Sequence, residues 1–547
     1  MERSLAHEGT FDRGYGGVQN LAFLERETPV EFYGLFKSLT TSSMVLLAAI
    51  DQGTSSSRFL VFESDSGDLV ASHQIEVRQL FPNPGWVEMD PMEILDTVIE
   101  CISRVVDRLK SLGIAKDEIK SIGIANQRET TVVWDSQTGK PLANAIVWLD
   151  TRTSALAEES INRTKSKSRE EFKAKTGLPI HPYFSALKLK WLIENVDSVK
   201  QALEDGTLLF GTIDTWLIWK LTGEHVTDVT NASRTLLFDI HKRKWSTKLC
   251  DFFHIPKDIL PRIMSSAEIY GTLRDGPLKG VAIAGCLGDQ QAALVGHNCL
   301  EKGDTKNTYG TGTFMLCNIG TEPVIGSNGL LTTVAFQFGP DSPVVYALEG
   351  SGSIGGNVVR FLRDNFKFIK NSKEMEELCR SIDSTEGVVF VPCFTGLYTP
   401  YWDPTARGTL LGLTQVTTKA HICLAALRAI AFQSAQMLDS IQQELEDTPI
   451  ENFRADGGMT ANVLFNEIQA DIIGKCIKTS KITEISGWGA AVAGGIGSHQ
   501  ISLDEFSSRQ PPGTSYEPRT DDDQRANEMK QWREAVKRAC GWAPTDT

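Results

Sequence analysis

The apolar run Leu46-Leu47-Ala48-Ala49-Ile50 stops at Asp51-Gln52-Gly53-Thr54-Ser55-Ser56-Ser57-Arg58, and a second apolar run, Phe59-Leu60-Val61-Phe62, leaves at once. Two strand-length runs joined by so short a polar segment read as a hairpin. Gly53 lets the turn tighten until backbone N–H groups and hydroxyls converge on one point, a geometry that suits an oxyanion. Asp51, at the strand end, is placed to hold a hydrated Mg2+ beside that point. From these residues alone the turn is either a cradle for nucleotide phosphates or a plain polar hairpin.

At 547 residues the chain is too long for one compact core and calls for two large domains or more. A formal charge of -14 argues against a nucleic-acid partner, although local donors and a metal still suffice for a nucleotide. The ten cysteines are scattered without a C-x-x-C pair, which fits buried, reduced thiols better than disulfides or a zinc site. No apolar run approaches the roughly 18–20 residues of a membrane span. Glu2, Glu8, Asp12, Glu25, Glu27 and Glu31 disfavour a transit peptide, and no secretory core follows them, so a cytoplasmic location is expected.

Strand signals crowd residues 45–78, and Ile94, Val98, Ile102, Val105 and Leu109 then share one helical face. Strands first clustered and then alternating with helices indicate an α/β domain with a mixed sheet. A second cluster opens near 304, where Asn307-Thr308-Tyr309-Gly310-Thr311-Gly312-Thr313 leads into the apolar Phe314-Met315-Leu316. Its chemistry matches the first turn. Two related halves, each lending one phosphate loop to a shared cleft, are therefore expected. A helical stretch, Ser185 to Glu204, lies between them, and another ends the chain at Gln524 to Cys540.

Four further segments carry candidate chemistry. Asp289, in Gly285-Cys286-Leu287-Gly288-Asp289-Gln290, follows a strand and opens a helix, as a simple cap or as a general base facing a cleft. Arg128 and Glu129 are adjacent, so both reach one ligand only from a loop or strand end; together they suit the hydroxyls of a polyol, and otherwise form an exposed edge pair. Trp148 packs against a ligand's carbon backbone or in the core. Asp456-Gly457-Gly458 reads as a tight turn between strand and helix that lets a purine approach the backbone, or as a plain turn. Gly487 to Gly495 is a small-residue helix that admits a close neighbour.

The order Asp-Gln-Gly-Thr, Asn-Gln-Arg-Glu-Thr-Thr, Gly-Asp-Gln-Gln, Asn-Thr-Tyr-Gly-Thr-Gly and Asp-Gly-Gly resembles the FGGY carbohydrate kinases, from about Leu46 to beyond Gly495. Tyr183-Phe184-Ser185-Ala186-Leu187-Lys188 matches one signature of the family, and Gly408-Thr409-Leu410-Leu411-Gly412-Leu413 with His421-Ile422 matches the other. The resemblance implies an α/β fold of two ribonuclease-H-like domains, of the actin and hexokinase ATPase type, with a catalytic cleft between them. It divides the chain into an extension at 1–43, open to disorder, an N-terminal domain at 44–297, a nucleotide-binding domain at 298–515 and a tail at 516–547.

It also implies ATP and Mg2+ as cofactors and glycerol as the acceptor, giving sn-glycerol 3-phosphate and ADP; homodimers or homotetramers are common in such kinases. By the same similarity Arg128, Glu129, Tyr183, Asp289 and Gln290 fall on glycerol-binding positions, with Trp148 and Phe314 against the carbon backbone. Thr54, Ser55, Ser56 and Arg58 fall on the first phosphate loop, Thr311 on the second, and Gly356, Gly458 and Asn462 on further nucleotide contacts. Asp51 takes the Mg2+ position, Asp289 that of the general base, and Arg58 assists at the transferring phosphoryl group.

Three departures stand out. Arg360 replaces a glutamine contact of bacterial members, Arg428 replaces the acid or amide that closes the second signature, and Trp488 brings bulk near the expected adenosine site. Arg274 to Gly280 lacks the glycine-rich basic loop for fructose 1,6-bisphosphate, so that regulation is not expected. The alternatives are a family kinase for another small polyol or ketose, and a kinase-derived binding protein of low activity.

Overall fold

The computed structural model describes residues 45–352, 354–445, 448–509 and 513–543; the extension at 1–43 lies outside them. Leu46–Gln52 (β1) and Ser56–Glu63 (β2) form the expected hairpin, and Leu69–Glu76 (β3) extends it antiparallel. All of β1 is buried, as a strand covered on both faces must be. Helix Pro91–Ser111 (α1) starts where Asp90 accepts from the Met92 N–H at 2.8 Å and Pro91 takes the first helical position. Its apolar stripe, Ile94 to Leu109, is buried as the spacing requires. Ile119–Asn126 (β4) then runs parallel to β1.

The helical stretch expected from Ser185 to Glu204 is formed by two helices, Ser185–Asn195 (α2) and Asp197–Glu204 (α3), with Val196 extended between them. Gly271–Thr272 (β5) edges the first sheet, and Ala282–Gly288 (β6) lies parallel to β4. Its order is β5-β6-β4-β1-β2-β3. Helix Asp289–Gly296 (α4) leaves β6 directly.

The second sheet repeats this plan. Thr305–Tyr309 (β7) and Thr313–Gly320 (β8) form its hairpin; Leu331–Phe336 (β9) and Val345–Gly352 (β10) lie beyond β8, antiparallel. Helices Asn357–Asp364 (α5) and Lys419–Glu444 (α6) follow. Phe453–Asp456 (β11) and Ile477–Ser480 (β12) continue parallel on the far side of β7, with helix Val463–Ile473 (α7) connecting them and Gly513–Tyr516 (β13) at the edge. The order is β9-β10-β8-β7-β11-β12-β13. Without β5 in the first sheet and β9 and β13 in the second, each is an antiparallel triplet followed by two parallel strands. The turns at 53–55 and 310–312 therefore sit at equivalent sheet ends.

Helix Ile485–Gly497 (α8) joins the halves, crossing α4 and lying on β1, β4 and β6. Glycines permit that approach: a Cβ on Gly489 would stand 1.8 Å from the Ala292 carbonyl oxygen, and one on Gly123 1.8 Å from that of Ala490. The small-residue helix thus serves another element of the protein. Helix Asp522–Ala539 (α9), within the segment read as a tail, buries Trp532 against Phe432 at 5.5 Å, and the indole N–H donates to Gln436 at 2.7 Å. Among the described residues no helix is long and apolar enough to cross a membrane.

Gly489→Ala is expected to destabilise the protein by about 1–3 kcal/mol, because backbone on both sides leaves the methyl no room. A lowered midpoint in a thermal melt checks this; an unchanged one would mean that the helix crossing relaxes.

Candidate active site

Asp51, next to last in β1, lies directly opposite Arg58 on β2, and Arg58 Nη1 lies 3.2 Å from Asp51 Oδ2. Arg58 also reaches Glu484 at 3.6 Å and donates to Gln74 Oε1 at 2.8 Å. Burial pushes the Asp51 carboxyl up to about 6; Arg58 pulls it back, while Glu484 and Asp289 push with burial. A buried acid with a raised carboxyl favours its ionised form once a divalent cation binds beside it. Between the strands the Gly53 N–H donates to the Ser56 carbonyl at 2.9 Å, closing the tight turn that glycine was expected to allow. Ser55 is exposed at its tip, Ser56 is buried, and Thr54 accepts from the Trp148 indole N–H at 2.9 Å.

The second turn is pinned from behind. Gly355 and Gly356 N–H groups donate to the carbonyls of Thr311 at 2.8 Å and Gly310 at 2.7 Å, just ahead of α5. A Cβ on Gly355 would come 2.6 Å from the Gly312 carbonyl oxygen, so only glycine fits there. Gly457, at φ +90°, lies as close to Tyr309. Beside the turn opens a cavity of about 400 Å3, with Gly310, Gly356, Gly458 and Asn462 on one side and Arg360 and Lys373 on its wall. Asn462 also caps α7 through its side-chain oxygen, accepting from the Phe465 N–H at 2.9 Å. Thr311 is exposed at the tip of the turn.

Arg128 and Glu129 follow β4, and Glu129 takes φ +59°, a conformation uncommon for a residue with a side chain. That bend resolves the alternation problem. The two side chains are 3% and 1% exposed, which overturns the reading of an exposed edge pair. Arg128 grips Glu349 of β10 with two bonds of 2.5 and 3.1 Å; Arg234 bonds Glu129 at 2.5 Å and Glu349 at 3.1 Å. Burial acts to raise Glu349, but Arg128 and then Arg234 prevail and hold its carboxyl at about 2. Arg128 Nε also stands 3.3 Å from Asp289 Oδ1.

Asp289 is the first residue of α4, with Gly288 in the cap position. Its Oδ1 accepts from the Gln290 N–H at 2.7 Å, and the side chain is 31% exposed, so the carboxylate is held yet open to a ligand. An aromatic wall also assembles: the Trp148 ring meets Tyr183 edge-on at 5.5 Å and Phe314 at 6.1 Å. Gln290 is nearly buried, with its Oε1 accepting from Lys306 Nζ at 2.5 Å. Polar groups that donate and accept, set against apolar rings, suit a short polyol.

Two ribonuclease-H-like halves, each with a glycine-bearing hairpin turn at an equivalent sheet end, define a two-domain kinase of the actin and hexokinase class. The models of the N-terminal and C-terminal domains of the FGGY family of carbohydrate kinases match residues 46–296 and 305–498. The chain belongs to the FGGY family. It is 72% identical, over 91% of its length and 100% of the relative's, to a probable glycerol kinase of Caenorhabditis elegans. Against a probable glycerol kinase of Dictyostelium discoideum the identity is 44%, over 91% and 99%. A crystal structure of Plasmodium falciparum glycerol kinase with ADP superposes with a TM-score of 0.84 at 38% identity, over 91% of this chain and 98% of that one.

Arg360, set aside on sequence, lines the cavity beside the second turn. Trp488 does not: it is buried between Phe62 at 5.5 Å and Phe506 at 6.4 Å, so its bulk fills core space instead. Arg428 pairs with Glu528 at 2.7 Å beside a separate cavity of about 300 Å3. Sequence reasoning missed Glu349 and Lys306 and passed over Arg234. Glu349 had a signal: a lone acid closing the apolar run Val344-Val345-Tyr346-Ala347-Leu348 must find a partner once buried.

Glu349→Gln leaves two buried guanidiniums short of charge and is expected to cost about 3–5 kcal/mol. Because the carboxyl's folded value lies below its ordinary 4.5, its stabilisation is present above that pH and is lost as pH falls toward 2. Denaturant unfolding between these limits should show a shallower pH dependence in the variant; parallel curves would remove Glu349 from the account.

Proposed function

We propose that this chain transfers the γ-phosphoryl group of ATP to a terminal hydroxyl of glycerol, giving sn-glycerol 3-phosphate and ADP. The observation that carries the reading is the near-complete alignment with the Caenorhabditis elegans relative, together with a partly exposed carboxylate, Asp289, held beside the buried Arg128. A primary alcohol is a weak nucleophile, and Asp289 takes its proton as the bond to phosphorus forms. Arg128 holds Asp289 in place from below, and the Glu349 pairing keeps Arg128 from swinging away. Glu129, Tyr183 and Gln290 meet the remaining hydroxyls, with Trp148 and Phe314 against the carbons.

On the nucleotide side the turn of Thr54, Ser55 and Ser56 faces the transferring phosphate. Thr311, Gly356, Gly458 and Asn462 hold the rest of the nucleotide beside the cavity, and Arg360 is added to that group. Asp51 would hold Mg2+, which when bound would neutralise charge on the phosphate oxygens. Arg58 fixes the Asp51 carboxylate and lends positive charge to the same region. Closure of the halves excludes water, which would otherwise accept the phosphoryl group.

Asp289→Asn keeps size and fold and is expected to lower kcat by about a hundred- to ten-thousand-fold. ADP release from MgATP with glycerol, dihydroxyacetone and pentuloses tests the acceptor. Glycerol should be strongly preferred, and preference for a ketose would overturn the choice of substrate. A second expectation concerns pH. Asp51 must be ionised to hold a cation, so apparent Mg2+ affinity should fall about tenfold per pH unit below a pH of about 6 and level off above it. A flat profile across that range in metal titrations would remove Asp51 from the metal site.

A further inference from the structure

Lys306 has no exposed surface, and a buried ammonium must find acceptors. From β7 its Nζ donates to Gln290 Oε1 at 2.5 Å and to Thr308 Oγ1 at 2.8 Å, with the Phe314 carbonyl at 3.5 Å. An ammonium only donates, so the first contact settles which way the Gln290 amide lies. Its oxygen faces the lysine, and Nε2, a donor, is the end left for a ligand. The second contact occupies the Thr308 oxygen and turns that hydroxyl's proton to Asp456 Oδ2, 3.1 Å away. Asp456 Oδ2 also receives His297 Nε2 at 2.9 Å, which brings the chain of contacts back to the end of α4, the helix that carries Gln290.

Both ends of this chain matter. Thr308 stands just before the turn of Gly310 and Thr311, and Asp456 just before Gly457 and Gly458. Those two turns lie against each other, since a Cβ on Gly457 would come 2.5 Å from the Tyr309 carbonyl oxygen. Both flank the cavity beside α5. An unbroken set of bonds thus links the acceptor-side Gln290 with the two glycine turns of the nucleotide side. In a buried, low-dielectric setting such charged bonds are strong, and each restricts its neighbours.

We propose that Lys306 is a positioning residue that orients Gln290 and couples it, through Thr308 and Asp456, to the nucleotide-side turns, so that glycerol and nucleotide each bind more tightly in the other's presence. This rests on the reading of the chain as a glycerol kinase. The coupling is reciprocal by necessity: whatever factor ADP applies to glycerol, glycerol applies to ADP.

Calorimetric titration of glycerol into the full-length protein, with and without saturating MgADP, measures it. The wild-type protein should bind glycerol about fivefold or more tightly with ADP present. Thr308→Val cuts the link but leaves the contact between Lys306 and Gln290; it should keep nucleotide-free glycerol affinity within about twofold and bring the coupling close to one. Thr308→Ser retains the hydroxyl and should retain the coupling. Lys306→Met should lose the coupling and also weaken glycerol binding about tenfold, the size of one charged hydrogen bond. Equal glycerol affinities with and without ADP in the wild type, or undiminished coupling in Thr308→Val, would overturn the proposal. Glycerol-dependent ADP release by the same wild-type preparation separates the two readings: an active enzyme with unaltered coupling in the variants sinks this inference alone, and an inactive one sinks both.

Discussion

Two arginines and two glutamates bury one another where the halves of the molecule meet, and the acceptor side of the cleft is built on that arrangement. Arg128 and Glu129 come from the end of β4, Glu349 from β10, and Arg234 from the segment between them. None could be buried alone, because an unpaired charge out of water costs several kcal/mol. Together they balance in sign. The consequence is positional: Arg128 is fixed by two bonds to Glu349, and what remains of its guanidinium is directed at Asp289. The carboxylate proposed as the base is thus held by a side chain that itself has no freedom.

The two glycine turns proposed to meet the nucleotide are built differently, by backbone contacts. The equivalent ends of β1 and β7 present two turns, each tightened by glycine and tied by main-chain bonds to a neighbouring element. Between the two sides run α4 and α8, whose glycines allow the helices and the first sheet to approach to backbone contact. The mutual position of acceptor and donor therefore depends on an interface that tolerates almost no added volume.

Much of this was legible in the residues. The turn after Ile50 was readable because apolar runs, a glycine and hydroxyls are local signals, and the same is true of the turn after Tyr309. The α1 stripe from Ile94 to Leu109 was equally plain. Arg128 and Glu129 were found by motif, but their burial was not foreseeable, since it depends on Glu349, more than two hundred residues later. Lys306 escaped notice for the same reason: Gln290, which it bonds, and Asp456, which it reaches through Thr308, lie on either side of it in sequence and meet only in the fold. Trp488 shows the converse error, a residue assigned to the cleft by proximity in a motif that the crossing of α8 turns toward Phe62 and Phe506.

The central claim is that the buried charge arrangement and the aromatic wall form the site where an alcohol is presented to Asp289. A crystal structure with glycerol and MgADP bound tests it most directly. The expected result is one terminal hydroxyl within about 3 Å of the Asp289 carboxylate, the others against Arg128 and Glu129, and the carbons against Trp148 and Phe314. Glycerol seated away from Arg128 and Glu129, with no hydroxyl in reach of Asp289, would contradict it.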